Sequence, residues 1–200
     1  FPYTPAWTGG ARVTRGDLLP DPGDEVVVVA GPGGGPHVRV YRDDGTPLSG
    51  GFMAYDPAFN LGLDVAVGDV DGDGFDEIIT GVNPGGGPHV RVFEPDGTPH
   101  GPGFMAYDQR FTGGVRVAVG GVDAGNPGLE IITGAGPGGG PHIAIFTPSG
   151  ALRGGFFAYA PAMNAGIQVA AGDVIAGGLD EIVSGAGAGG GPHVKIFNGA

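Results

Sequence analysis

Asp69-Val70-Asp71-Gly72-Asp73-Gly74-Phe75-Asp76-Glu77 sets three carboxylates at alternate positions between two apolar runs, Val65-Ala66-Val67-Gly68 and Ile78-Ile79-Thr80-Gly81. The β-branched runs read as short strands, and the glycines between the aspartates permit a sharp turn. Alternating carboxylates on such a turn are what a hard cation such as calcium needs to gather oxygen ligands. The first positions match the start of an EF-hand loop. Position twelve, however, is Thr80, which cannot give a bidentate carboxylate, and a strand rather than a helix follows. The stretch therefore reads as a nine-residue loop between antiparallel strands, with side-chain ligands from Asp69, Asp71, Asp73 and Glu77 and a backbone carbonyl from Phe75.

The surroundings of this loop recur. Pro36-His37, Pro88-His89, Pro141-His142 and Pro192-His193 are spaced by 52, 53 and 51 residues, and Tyr3, Tyr55, Tyr107 and Tyr159 by 52 each time. A period near 52 is the size of a four-stranded propeller blade. Each unit supplies a first strand before the acidic loop, a second such as Glu77-Ile78-Ile79-Thr80, a third such as His37-Val38-Arg39-Val40-Tyr41, and a fourth such as Phe52-Met53-Ala54-Tyr55. The chain is thus expected to be all-β: a four-bladed β-propeller of four-stranded antiparallel blades, forming one domain over 1–200. The last unit stops at Phe197-Asn198-Gly199-Ala200, after its third strand, while Phe1-Pro2-Tyr3-Thr4-Pro5 aligns with the end of a fourth. The expectation is a ring closed by the N-terminal strand completing the C-terminal blade, which hides both sheet edges. The alternative is four units of a longer array. Small residues at one first-strand position (Thr14, Ala66, Ala118, Ala170) suit crowding near an axis, and Arg12, Asp64, Arg116 and Gln168 suggest a polar network at one mouth or merely solvated strand ends.

Composition agrees with this frame. Glycine (46) and proline (19) recur at fixed places, which favours turns over disorder and argues against helices. The net charge of -12 disfavours nucleic acid and anionic membranes and suits cations. No apolar run approaches the roughly 18 residues of a membrane span. Absence of cysteine excludes disulfides and thiolate metal sites. The chain starts at Phe1 rather than methionine, as a processed or excised segment would.

The stretch Gly68-Asp69-Val70-Asp71-Gly72-Asp73-Gly74-Phe75-Asp76-Glu77-Ile78-Ile79-Thr80-Gly81 resembles the FG-GAP repeat, the blade unit of integrin α-subunit propellers and of many bacterial secreted proteins. The resemblance implies a propeller with Ca2+ in the loop between the first two strands of a blade, and an extracellular or cell-surface setting. Integrin heads have seven blades, so a ring of four would depart from that pattern. Only the second unit carries the full motif. The first keeps Asp17, Asp21 and Glu25, with Gly23 as the carbonyl position and Leu19 at the third, a weaker second site; the loops of the third and fourth units are expected to be vacant. Glutamate survives in all four units, so it is expected also to accept backbone N–H bonds that close the loop.

Every unit also carries Gly-Gly-Gly-Pro-His. Without the Lys-Ser/Thr of a P-loop or a following helix, nucleotide binding is not expected. His37, His89, His142 and His193 either bond backbone or a nearby tyrosine or aspartate, or form a functional ring for a transition metal, anion or glycan. Trp7, Phe59, Phe111 and Met163 either pack between blades or face outward as a contact surface, and His100, off the repeat, reads as surface. The functional expectation is a calcium-binding, non-catalytic module serving adhesion, protein or glycan binding, or acting as a rigid scaffold, as a monomeric ring or part of a larger surface protein. The alternative is a propeller enzyme, a lyase or hydrolase, with its site at a channel mouth. Against it stand the absence of Gly-x-Ser-x-Gly and His-Glu-x-x-His arrangements and the fourfold repetition itself.

Overall fold

Runs such as Val26-Val27-Val28-Val29 are apolar at every position, so a strand made from one is buried on both faces and must lie in the middle of a sheet covered on both sides. The computed structural model, which describes residues 2–4, 6–125 and 128–199, places them there. The first blade is β1 (Ala11–Gly16), β2 (Glu25–Ala30), β3 (His37–Tyr41) and β4 (Phe52–Met53), and the second is β5 (Leu63–Gly68), β6 (Glu77–Val82), β7 (His89–Phe93) and β8 (Phe104–Met105). The third is β9 (Val115–Gly120), β10 (Glu130–Ala135), β11 (His142–Phe146) and β12 (Leu152–Phe157), and the fourth is β13 (Ile167–Gly172), β14 (Glu181–Ala186) and β15 (Val194–Phe197). Within each blade the strands pair antiparallel in chain order. The protein is an all-β, four-bladed β-propeller.

The first strands end at glycine, because the next residue begins the polar loop. Thus β5 and β6 pair from Leu63↔Val82 to Gly68↔Glu77, which leaves 69–76 as the turn. The core lies between the blades. Val27, Val38 and Val40 of the first pack with Leu63, Ile78 and Phe93 of the second. Ile79, Val90 and Val92 of the second pack with Val115, Ile131 and Phe146 of the third. Ala118, Ile132 and Ile143 of the third meet Ile167 and Ile182 of the fourth. Ala66 and Ala118 face the following blade, where their small size admits its first strand closely. At one end Arg12 Nε pairs with Asp64 Oδ1 at 3.1 Å, Asp64 Oδ2 accepts the Val117 N–H at 3.0 Å, and Arg116 donates to Asn83 Oδ1 at 2.7 Å. Burial raises the Asp64 carboxyl above its ordinary value, and Arg12 and Arg116 oppose that rise.

A tyrosine beyond each fourth strand clasps the next blade. The hydroxyl of Tyr55 lies 3.0 Å from the His89 carbonyl, that of Tyr107 3.1 Å from His142 and that of Tyr159 2.7 Å from His193. Tyr3 makes the same contact with the first blade, 2.9 Å from the His37 carbonyl. The expected closure falls on the first residues of the chain: Tyr3 sits on the first blade as Tyr55 sits on the second, the place a fourth-strand tyrosine of a preceding blade takes. Pro2, Tyr3 and Thr4 form no strand, the fourth sheet has three strands among the described residues, and Phe1 and Pro5 lie outside them. The N-terminal segment is held by the blade that follows it. First strands pack in series, β1 on β5, β5 on β9 and β9 on β13, with no comparable packing from β13 back to β1. Each blade accordingly has a leading face toward its predecessor and a trailing face toward its successor, and two of these faces are open. Trailing residues Val38, Val90 and Ile143 are fully buried, whereas Val194 and Ile196 at the same places on β15 are 63% and 50% exposed. On the leading side Val13 is 63% exposed, against 5% for its counterpart Val117.

Replacing Asp64 by alanine removes the ion-pair partner of Arg12 and leaves the buried Val117 N–H without its acceptor. The expected result is a loss of about 3 kcal/mol in unfolding free energy, read by urea denaturation, with the β-sheet circular dichroism of the folded protein retained.

Candidate metal centre

A polar loop between two buried strands must find partners for its own N–H groups, and the glutamate opening each second strand supplies them. Glu77 Oε2 accepts the Val70 N–H at 2.9 Å and the Asp71 N–H at 3.3 Å. Glu25 accepts from Leu18, Glu130 from Val122, and Glu181 from Val174 and Ile175. All four carboxylates are buried, Glu77 to 1% exposure. This explains why glutamate persists in units whose aspartates have gone.

Above Glu77 the aspartates fold the loop by bonding its backbone. Asp69 Oδ1 and Oδ2 accept the N–H groups of Gly72 and Gly74 at 2.7 and 3.0 Å, Asp71 accepts from Asp73 at 3.1 Å, and Asp73 from Phe75 at 2.9 Å. Gly72 and Gly74 take φ of 86° and 100°, the left-handed region that other side chains resist. The result brings ligand oxygens of Asp69, Asp71 and Asp73 within 4.8 Å of one another. Glu77 does not join that trio. It gathers with Asp71, Glu94 and His100, again within 4.8 Å. His100 Nε2–H donates to Glu94 Oε1 at 2.5 Å, so the imidazole serves the carboxylate. Burial pushes the Glu77 carboxyl up to about 7, with Asp71 and Glu94 adding to the rise and the Val70 and Asp71 N–H groups opposing it.

The donor set fits a hard cation: three carboxylates at the solvent side, all oxygen, on a loop already bent around them. Among the described residues no arginine or lysine ion-pairs with these carboxylates. The residues of the weaker second site have other partners. Asp17, Asp21 and Glu25 form no metal-ligating group among the described residues, Glu25 is bonded to Leu18, and Arg42 pairs with Asp21. Glu94 and His100 were not expected near the loop. The signal lay in comparing repeats: Glu94 occupies the hairpin position that Arg42 holds in the first blade.

The four repeated histidines share one packing partner type. Each lies against a tyrosine, with ring centroids 6.4 Å apart for Tyr3–His37, 5.6 Å for Tyr55–His89, 6.0 Å for Tyr107–His142 and 5.8 Å for Tyr159–His193. His37 and His89 bond through Nε2 to the carbonyls of Gly50 and Pro102. Burial lowers the basicity of His89 and His142. The turn aromatics pack inward as well: Phe59 lies against Tyr55 and Phe111 against Tyr107.

With its pKa raised in the fold, charged Glu77 weakens the cation-free protein. That cost is absent below its ordinary value of 4.5, grows as pH rises, and is complete above about 7. In chelator, Glu77→Gln should gain stability relative to the parent across that interval and hold a constant difference above it, as followed by urea unfolding at a series of pH values.

No curated protein matches the sequence. Three solved structures resemble the fold: the exotype rhamnogalacturonan lyase YesX (15% identity, TM-score 0.58), the rhamnogalacturonan lyase YesW (14%, 0.56) and a Bacillus licheniformis rhamnogalacturonan lyase (18%, 0.54). The alignments cover 87%, 87% and 88% of this chain but only 39%, 40% and 39% of the lyases, so the chain spans about two-fifths of their length. The FG-GAP repeat family matches residues 61–93, which contain β5, the acidic loop, β6 and β7. Within this four-bladed propeller, the first three strands of the second blade are thus similar to the FG-GAP repeat.

Proposed function

We propose that the chain is a calcium-stabilised, non-catalytic propeller module of a secreted or cell-surface protein, presenting its surface to a protein or carbohydrate ligand. The observation that carries the reading is the exchange at one hairpin position. In the first blade, where the loop has lost an aspartate, Arg42 supplies positive charge to Asp21. In the second, where all three aspartates are present, the same position is Glu94, a further negative charge beside Asp71 and Glu77. A loop that gains carboxylates and exchanges its arginine for another carboxylate is balanced by a divalent cation. Asp69, Asp71 and Asp73 would hold it with the Phe75 carbonyl, and Glu77 would brace the loop from beneath. Calcium there supplies charge neutralisation and loop rigidity.

The non-catalytic part rests on how the repeated groups are used. Tyrosine hydroxyls hold neighbouring blades, glutamates hold loop N–H groups and histidines pack on the tyrosines. Likeness to the lyases at this identity concerns fold alone, and their activity is not carried across. Loops of this kind bind calcium at roughly 10⁻³ to 10⁻⁶ M, a range suited to the calcium outside cells.

Calcium at a hundred times its Kd should stabilise the protein by about 2.7 kcal/mol, a rise in Tm of roughly 5–10 °C. Calorimetry should give one site per chain, and Asp71→Ala should abolish both effects. An unchanged Tm with no heat of binding would refute the calcium reading. Glu94→Arg, which copies the first blade, should raise the Tm in chelator and shrink the calcium increment. A glycan array probed with calcium and with EDTA tests the ligand: calcium-dependent retention supports a lectin-like role, and no retention leaves protein ligands as the class to pursue.

A further inference from the structure

The open faces at the two ends of the blade series carry the same elements that mate three times inside the chain. Within each internal contact the trailing face is glycine where the leading face presents a side chain. A Cβ on Gly16 would lie 2.7 Å from Val67 Cγ2, one on Gly68 2.4 Å from Val119 Cγ1 and one on Gly120 2.6 Å from the Ala171 methyl. Further out, Gly81 abuts Val115 and Val117, and Gly134 abuts Ile167 and Val169. Gly172 and Gly185 hold the equivalent places in the fourth blade, and a Cβ there would meet nothing. A backbone lock accompanies two of the contacts. Asp76 Oδ2 accepts the Asp17 N–H at 3.0 Å while the Asp76 N–H donates to the Asp17 carbonyl at 2.8 Å. Asp180 does the same with Gly121, at 2.9 and 3.0 Å.

We propose that a second copy of this chain docks the leading face of its first blade onto the trailing face of the fourth, and that two copies joined head to tail in this way, each through both of its open faces, form a closed pair. The lock is ready on the leading face. Asp24 is the counterpart of Asp76 and Asp180, and among the described residues its carboxylate pairs with the exposed Arg15, at 3.1 Å. In the pair Asp24 takes the Asp173 N–H of the other copy, Val13 lies over Gly185, and Val194 and Ile196 are covered as Val38 and Val40 are. Charge agrees: Arg15 replaces the apolar Val67, Val119 and Ala171 of the internal contacts and comes to lie beside the exposed Asp173. Tyr3 is already seated on the first blade as Tyr55 is on the second, so the clasp of this joint is in place. Faces that differ in this way join leading to trailing rather than like to like, a heterologous joint that the proposed pair makes twice.

Light scattering coupled to size exclusion should report twice the chain mass of 19.7 kDa. Val13→Glu and Ile196→Glu lie at exposed positions, so each variant should melt as the parent chain melts when dissociated, yet each alone should run as a single chain. Mixing the two restores one undamaged joint and should return the doubled mass. A single-chain mass for the parent protein at its highest soluble concentration overturns the proposal, as does a doubled mass that survives both substitutions.

Discussion

A sheet that is apolar on both faces cannot stand alone in water, and every blade of this protein is such a sheet. Its second strand is built on apolar runs such as Val26–Val29 and Ile78–Ile79 that face both sides of the sheet, so burial requires a neighbour on each face. The main organisation of the molecule answers that requirement. Glycines at the ends of first strands let the next blade approach to backbone distance, tyrosines hold the spacing, and glutamates tidy the loops that leave the sheet. The contacts are repetitive because the requirement is.

Against that apolar frame the polar chemistry is confined to the blade rims. Buried glutamates spend their charge on loop N–H groups, which leaves the aspartates above them free to face solvent. In the second blade this gives two tiers of carboxylate, one bracing and one exposed, with Asp71 belonging to both groupings. Where an aspartate is missing, an arginine from the adjacent hairpin does part of the same electrostatic work.

Much of this was legible in the residues. The 52-residue spacing of the tyrosines fixed the blade count, and the alternating aspartates with their glycines fixed the loop. Which blade Tyr3 serves was not legible, because a tyrosine after a fourth strand belongs by sequence to one blade and by contact to the next. Alignment of repeats reveals a residue's place in its unit but not which unit it touches. Glu94 and His100 were missed for a related reason. They come to the loop across the sheet, and only a comparison of Arg42 with Glu94 hints that the hairpin and the loop share one field. The extent of β4 and β8 was overread too, since Ala54 and Tyr55 already leave the sheet to reach the next blade.

The glycines beneath each blade contact have a consequence for how the molecule comes apart. Because each unit touches only its immediate neighbours, stability behaves as a nearest-neighbour sum along a line, and local opening is graded by position. In a single chain without a second copy on its end faces, the two central blades are clamped on both sides and the outer two on one. Unfolding therefore begins as fraying at the ends and works inward, and the acidic loop of the second blade sits in the half of the array that opens last.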